Sequence, residues 1–144
     1  MKHIFFAAAA VALVFAVGSA DAQSKTLRWS SQGDAATFDP HAQNESFTNQ
    51  FNGQMYEQLL SRDKTMKLIP ALATTWKQTS PTTWLFTLRK GVKWHDGSNF
   101  TADDVIFSIL RTQQPTSNMK VYGNALGVPK KIDDFTIEIG RAHV

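Results

Sequence analysis

The pattern of apolar and polar positions changes character several times along the chain. Residues 4–17 form an unbroken apolar run with no polar face, unlike a surface helix. Residues 26–30 then alternate, Leu27 and Trp29 against Thr26, Arg28 and Ser30, which predicts a half-buried strand. Phe47, Phe51, Met55 and Leu59 recur every fourth position, which predicts a helix over 46–60 with one apolar core face and Ser46 at its start. Gly53 inside it costs about 1 kcal/mol against alanine, so it is expected to allow close packing or a bend.

Two strands are predicted over 74–78 and 83–89, separated by Thr79-Ser80-Pro81-Thr82, a spacing that suits an antiparallel hairpin. Trp84, Phe86 and Leu88 share one face of the second strand, and Leu85 and Thr87 the other. Val92-Lys93-Trp94 is a short strand ended by Asp96-Gly97, a pair that supplies positive φ at a tight turn. Thr101 with Asp104 resembles a capping box, and Val105/Ile109 and Ile106/Leu110, with Phe107 beside them, give the helix over 102–112 a broad sheet-facing side. Residues 113–129 have no clear period and contain Pro115, Gly123, Gly127 and Pro129, so they are expected to be a long surface loop. Residues 130–139 predict two short strands turning at Asp133-Asp134.

Prolines punctuate the rest. Phe38-Asp39-Pro40-His41 is a turn, because proline fixes its own φ and pushes Asp39 toward extended geometry. Leu68-Ile69-Pro70 closes a polar turn, and Ala71-Leu72-Ala73 is expected to make one helical turn.

The apolar start is a leader by its parts: a basic Lys2, the apolar run, and small residues at Ala20 and Ala22 around Asp21. The run is shorter than the ~20 residues a membrane span needs, so residues 1–22 are expected to be a cleaved export signal. The chain has 15 basic and 12 acidic residues, a net +3, and loss of Lys2 and Asp21 with the leader keeps that value. Positive residues are scattered, with only Arg89-Lys90 and Lys130-Lys131 adjacent, so no nucleic-acid partner is expected. There is no cysteine, which excludes a disulfide framework, a thiolate metal site, a thiol nucleophile and a lipid-anchored cysteine.

Candidate chemistry is sparse. His95 sits beside a turn without a His, Asp or Glu at ligand spacing, so a hydrogen-bonded turn histidine is expected. Asp103 and Asp104 lie in a first helical turn, where the helix dipole favours negative charge, and adjacent helical residues do not face each other. Neither pattern makes a catalytic or metal site. A secreted hydrolase would need a nucleophile with a base, or paired carboxylates, and His41 and His95 have no such neighbours in sequence. A secreted adhesion module would show repeats or exposed strands, and no repeat is visible.

Pro70-Ala71-Leu72-Ala73, Trp76, the run from Thr87 through Trp94-His95-Asp96-Gly97, and Phe100-Thr101-Ala102-Asp103-Asp104-Val105 with Phe107-Ser108 together resemble the signature of the peptide/nickel family of extracellular solute-binding proteins. Weaker agreement extends over 27–137. The resemblance implies a mixed α/β (α+β) fold of the two-lobed periplasmic-binding-protein type, with residues 23–138 forming only the N-terminal part of the first lobe. It implies a periplasmic, monomeric subunit that delivers a small solute to the permease subunits of an ABC importer in the inner membrane, with no catalysis and no cofactor or metal. Peptides are the expected solute; a nickel chelate, glutathione or an opine stay open, and a secreted hydrolase is the alternative from another class. Asn44, Glu45, Ser46 and Phe47 follow the Asp-Pro-His turn as the family's cleft segment follows its own, so they are the expected substrate contacts. The last six residues, Ile139-Gly140-Arg141-Ala142-His143-Val144, can be encoded by a common sequencing-adapter run, and 139–144 are expected to be a non-native tail.

Overall fold

The computed structural model describes residues 26, 28, 30, 31 and 33–141. The chain divides into two units, Met1–Gln32 and Gly33–Val144. The expected leader lies outside the described residues, as do Leu27 and Trp29 of the first expected strand and positions 142–144 of the expected tail. In the first unit, Thr26, Arg28, Ser30 and Ser31 are exposed and outside any helix or strand.

The second unit is mixed α/β. Its elements in order are α1 (Ser46–Asn52), β1 (Leu60–Arg62), β2 (Leu68–Pro70), β3 (Ala73–Ser80), β4 (Thr83–Leu88), α2 (Ala102–Thr112), α3 (Lys120–Leu126), β5 (Lys130–Asp133) and β6 (Thr136–Gly140). Strands β1 and β2 form a small antiparallel ribbon, and the main sheet has the order β3-β4-β6-β5 with every pair antiparallel. The expected hairpin forms with a shorter loop than the sequence suggests: only Pro81 and Thr82 separate β3 from β4.

Register explains the core. Trp84 pairs with Ile139 and Phe86 with Ile137, so the even-numbered face of β4 is continuous with the isoleucines of β6. Helix α2 covers that face with Ala102, Val105 and Ile109, and the cluster closes with Ala73, Leu88 and Phe100. Each fully buried aliphatic side chain of this kind contributes about 1.5–3 kcal/mol. The described tryptophans stay at the margins: Trp76 is half-buried, and Trp84 and Trp94 are exposed. Phe107, expected beside the packing face of α2, is 68 % exposed, because the side that meets the sheet is narrowed to Ala102, Val105 and Ile109. Ile139 is buried and Gly140 pairs with Thr83, so the first two residues of the expected tail complete β6.

The capping box forms as expected, with the Asp104 carboxylate accepting from the Thr101 backbone N–H at 2.8 Å. The turn at Asp96-Gly97 forms too: Gly97 has φ +89°, and Asp96 Oδ1 accepts from the Ser98 backbone N–H and hydroxyl. The strand before it shrinks to a single bridge between Lys93 and Asn99. The helical turn expected at Ala71-Leu72-Ala73 does not form: residues 71–72 make a bend and Ala73 begins β3, since its N–H donates to Leu59 O and fixes it extended.

Two further expectations are corrected. The helix predicted over 46–60 stops at Asn52, and Glu45, not Ser46, caps it by accepting from the Phe47 N–H. Its buried side is Thr48 and Asn52, because the Thr48 hydroxyl donates to Glu45 Oε2 and accepts from Ala36 N–H, drawing that face onto the strap before the helix. Phe47 and Phe51 pack on each other with centroids 5.2 Å apart, half-buried, while Met55 is exposed. The expected loop over 113–129 contains α3. Its centre, Gly123, approaches Thr112 so closely that a Cβ would lie 2.0 Å from Thr112 Oγ1, so the glycine that looked like a breaker is a helix contact.

Candidate ligand-binding segment

The strap from Ala36 to Glu45 is tied down from several directions. Asp39 Oδ1 accepts from the His41 backbone N–H, which closes the turn, and Tyr56 OH donates to Phe38 O. Arg111, in the last turn of α2, reaches across with both arms: Nη1 donates to Asp39 Oδ1 at 2.7 Å and Nη2 to Oδ2 at 2.5 Å. This fork geometry matches a carboxylate and fixes orientation as well as charge. Arg111 Nη1 also lies 2.9 Å from His41 Nδ1. Since a guanidinium only donates, His41 Nδ1 accepts and its proton sits on Nε2.

Beyond the turn, Asn118 donates its N–H to His41 O at 2.9 Å and its Nδ2 to Ala42 O at 2.5 Å, and the buried Ser117 hydroxyl donates to His41 O. The charges follow the contacts. The Arg111 guanidinium, helped by the His41 N–H, holds the Asp39 carboxyl far below the usual carboxylate range, and Asp39 in turn raises Arg111. Burial, and then the neighbouring guanidinium, push the His41 imidazole below its ordinary value.

The four expected substrate contacts emerge from this anchored strap. Asn44 is exposed, and its Nδ2 lies 3.5 Å from Tyr122 OH of α3, the outer limit of a hydrogen bond. The Glu45 carboxylate already accepts from Phe47 N–H and Thr48 Oγ1, and the Thr48 hydroxyl above all lowers its pKa. Ser46 is exposed, and the Phe47 ring rests on Phe51. Asn44 and Tyr122 are thus brought together, while Glu45 and Phe47 face their own helix. Sequence reasoning did not select Tyr122, because the segment holding it looked like a loop, nor Arg111, whose only signal was a basic residue in the last turn of a helix.

Three cavities, of ≈ 530, ≈ 320 and ≈ 380 Å³, flank the connection after α1, and Tyr56 and Glu57 line all three. None is lined by residues 44–47. Glu57 is held by a two-pronged bond from Arg89 Nη2, 2.7 Å to each oxygen. The ≈ 380 Å³ cavity includes His41 and Tyr122, so it opens beside the Asn44 contact. Among the described residues, no three His, Asp or Glu side chains gather as a metal site would require. Exposed His95 sits on the Asp96-Gly97 turn.

The family model described as bacterial extracellular solute-binding proteins, family 5 Middle, matches residues 67–143. The dipeptide-binding protein of Escherichia coli strain K12 is 33 % identical over 89 % of this chain and 28 % of its own length. OppA of Burkholderia pseudomallei superposes with a TM-score of 0.69 at 24 % identity over 73 % of this chain and 24 % of that one, a likeness of fold. NikZ of Campylobacter jejuni, solved with Ni(L-His), gives 0.65 at 26 % identity over 76 % of this chain and 22 % of its own. The chain thus spans about a quarter of the length of the relatives it matches.

Proposed function

From a chain that belongs to the bacterial extracellular solute-binding proteins of family 5, we propose that it builds the N-terminal part of the first lobe of a periplasmic binding subunit for an ABC importer. The solute is a di- or oligopeptide, and the subunit hands it on without making or breaking bonds. The observation that carries this reading is the pairing of an exposed carboxamide, Asn44, with the Tyr122 phenol at the end of an over-anchored strap. A carboxamide and a phenol supply donors and acceptors together, which is what an extended peptide main chain requires. Asn44, Glu45, Ser46 and Phe47 are the proposed contacts, with Tyr122 added to them.

A ligand touching two lobes stabilises their closed arrangement, and a permease that recognises closure then takes only loaded subunits. The protein works as a monomer in the periplasm after removal of residues 1–22, without nucleic acid or cofactor. The 33 % identical relative is a dipeptide-binding protein, which favours peptides over a metal chelate.

The test is a calorimetric screen of the full-length protein against di- and tripeptides, glutathione, a nickel–histidine chelate and an opine, with the products checked by mass spectrometry. Binding of peptides in unchanged form is the expected result. Selective binding of the nickel chelate, or cleavage of the peptide, would replace this reading.

A further inference from the structure

We propose that Arg111 is a positioning residue for ligand binding: through Asp39 and neutral His41 it sets the strap that presents Asn44 to Tyr122, and acid that charges His41 loosens it. This rests on the binding role proposed for Asn44. Arg111 lies 72 residues from Asp39 in sequence, yet it donates to both Asp39 oxygens and lies 2.9 Å from His41 Nδ1. From the opposite side Asn118 and Ser117, which follow α2, hold His41 O and Ala42 O. The backbone of 39–42 is therefore gripped by one helix end and the turn after it, two residues before Asn44.

The lock depends on an unprotonated Nδ1. A proton there removes the acceptor and sets two cations side by side. Burial and Arg111 already keep the imidazole below its ordinary value, with Asp39 opposing. The groups facing His41 are Arg111 and Asp39 in contact and, around the shared cavity, Tyr56 and Glu57 from the connection after α1, Asp104 from α2 and Tyr122 from α3. Glu57 is paired with Arg89, whereas Asp104 accepts from the Thr101 N–H in the capping box, so both carboxylates are already hydrogen-bonded elsewhere.

The experiment titrates the full-length protein with dialanine and trialanine at pH 7.5 and 5.5, as parent and as Arg111→Gln, Arg111→Lys and His41→Gln. The parent is expected to lose about two- to threefold in affinity on acidification, less than the roughly tenfold ceiling of an imidazole at its ordinary value, because His41 titrates lower. Arg111→Gln binds about tenfold more weakly at pH 7.5 with a flattened pH profile, Arg111→Lys recovers part of that loss, and His41→Gln removes the acid loss. Parent-like affinity and pH profile in Arg111→Gln would overturn the proposal, as would an undiminished acid loss in His41→Gln. If the parent binds neither peptide, the functional reading fails and amide exchange decides the lock. Exchange at His41, Ala42 and Asn118 at least tenfold faster in Arg111→Gln supports it, and unchanged exchange refutes it.

Discussion

Asp39 illustrates how one side chain couples sequence-distant parts. Its carboxylate caps its own turn and pairs with Arg111, and its pKa is strongly depressed by that pairing. A depressed carboxyl contributes stability that is present above the unfolded value near 3.9 and is lost as pH falls toward the folded value. The pair is more than a third exposed, so solvent screening limits its contribution to about 0.5–1 kcal/mol. Asp39→Asn in the full-length protein is expected to lose that amount in urea unfolding at pH 7, with the difference from the parent shrinking between about pH 4 and pH 2. A constant difference across that range would show that the lost stability is not electrostatic. The fork itself is invisible in sequence, because nothing local to Asp-Pro-His names a helix end 72 residues away.

At the scale of elements, α2 and α3 meet through Gly123. Alanine there would gain helix propensity of about 1 kcal/mol, but its Cβ would stand 2.0 Å from Thr112 Oγ1 and 3.1 Å from the Thr112 backbone carbon. Backbone cannot rotate away, so overpacking wins and Gly123→Ala is expected to destabilise by about 1–3 kcal/mol. Circular dichroism melts of the full-length protein would check it, and an unchanged or raised midpoint would mean that the helices do not pack this tightly. Elements fixed by local chemistry were legible in the sequence: the β3–β4 hairpin, the Asp96-Gly97 turn, the capped α2 and the β5–β6 turn. Where a tertiary contact decides, legibility failed. The periodic phenylalanines promised a long helix, yet the Thr48 bond to Ala36 turns the polar face inward and the helix ends early. Helix α3 was hidden because glycine and proline spacing masked a seven-residue helix whose glycine serves packing. Within the proposed site, Asn44 came from the likeness of its place after the Asp-Pro-His turn to the family's cleft segment, whereas Tyr122 had no signal of its own.

For the whole molecule, the relevant quantity is how much apolar surface remains uncovered. Phe107, Val121, Tyr122, Val128 and Ile132 are each at least half exposed, and the chain spans 28 % of the dipeptide-binding relative. Ordering some 110 residues costs on the order of 100 kcal/mol or more, and a small aliphatic core leaves little to offset it. The 144-residue chain expressed alone is expected to aggregate or melt without a sharp transition, and to bind an apolar dye in its native buffer. A sharp, reversible calorimetric transition would contradict this.

The order β3-β4-β6-β5 has a temporal side. The hairpin is made early, but β6, its neighbour, lies roughly 50 residues further along, which at ~5–20 residues per second leaves the ribosome roughly 3–10 s later. For those seconds one rim of β4 offers unpaired amides and carbonyls to any passing strand. Paired late, that rim is the chain's most open route to strand-to-strand aggregation while it is being made.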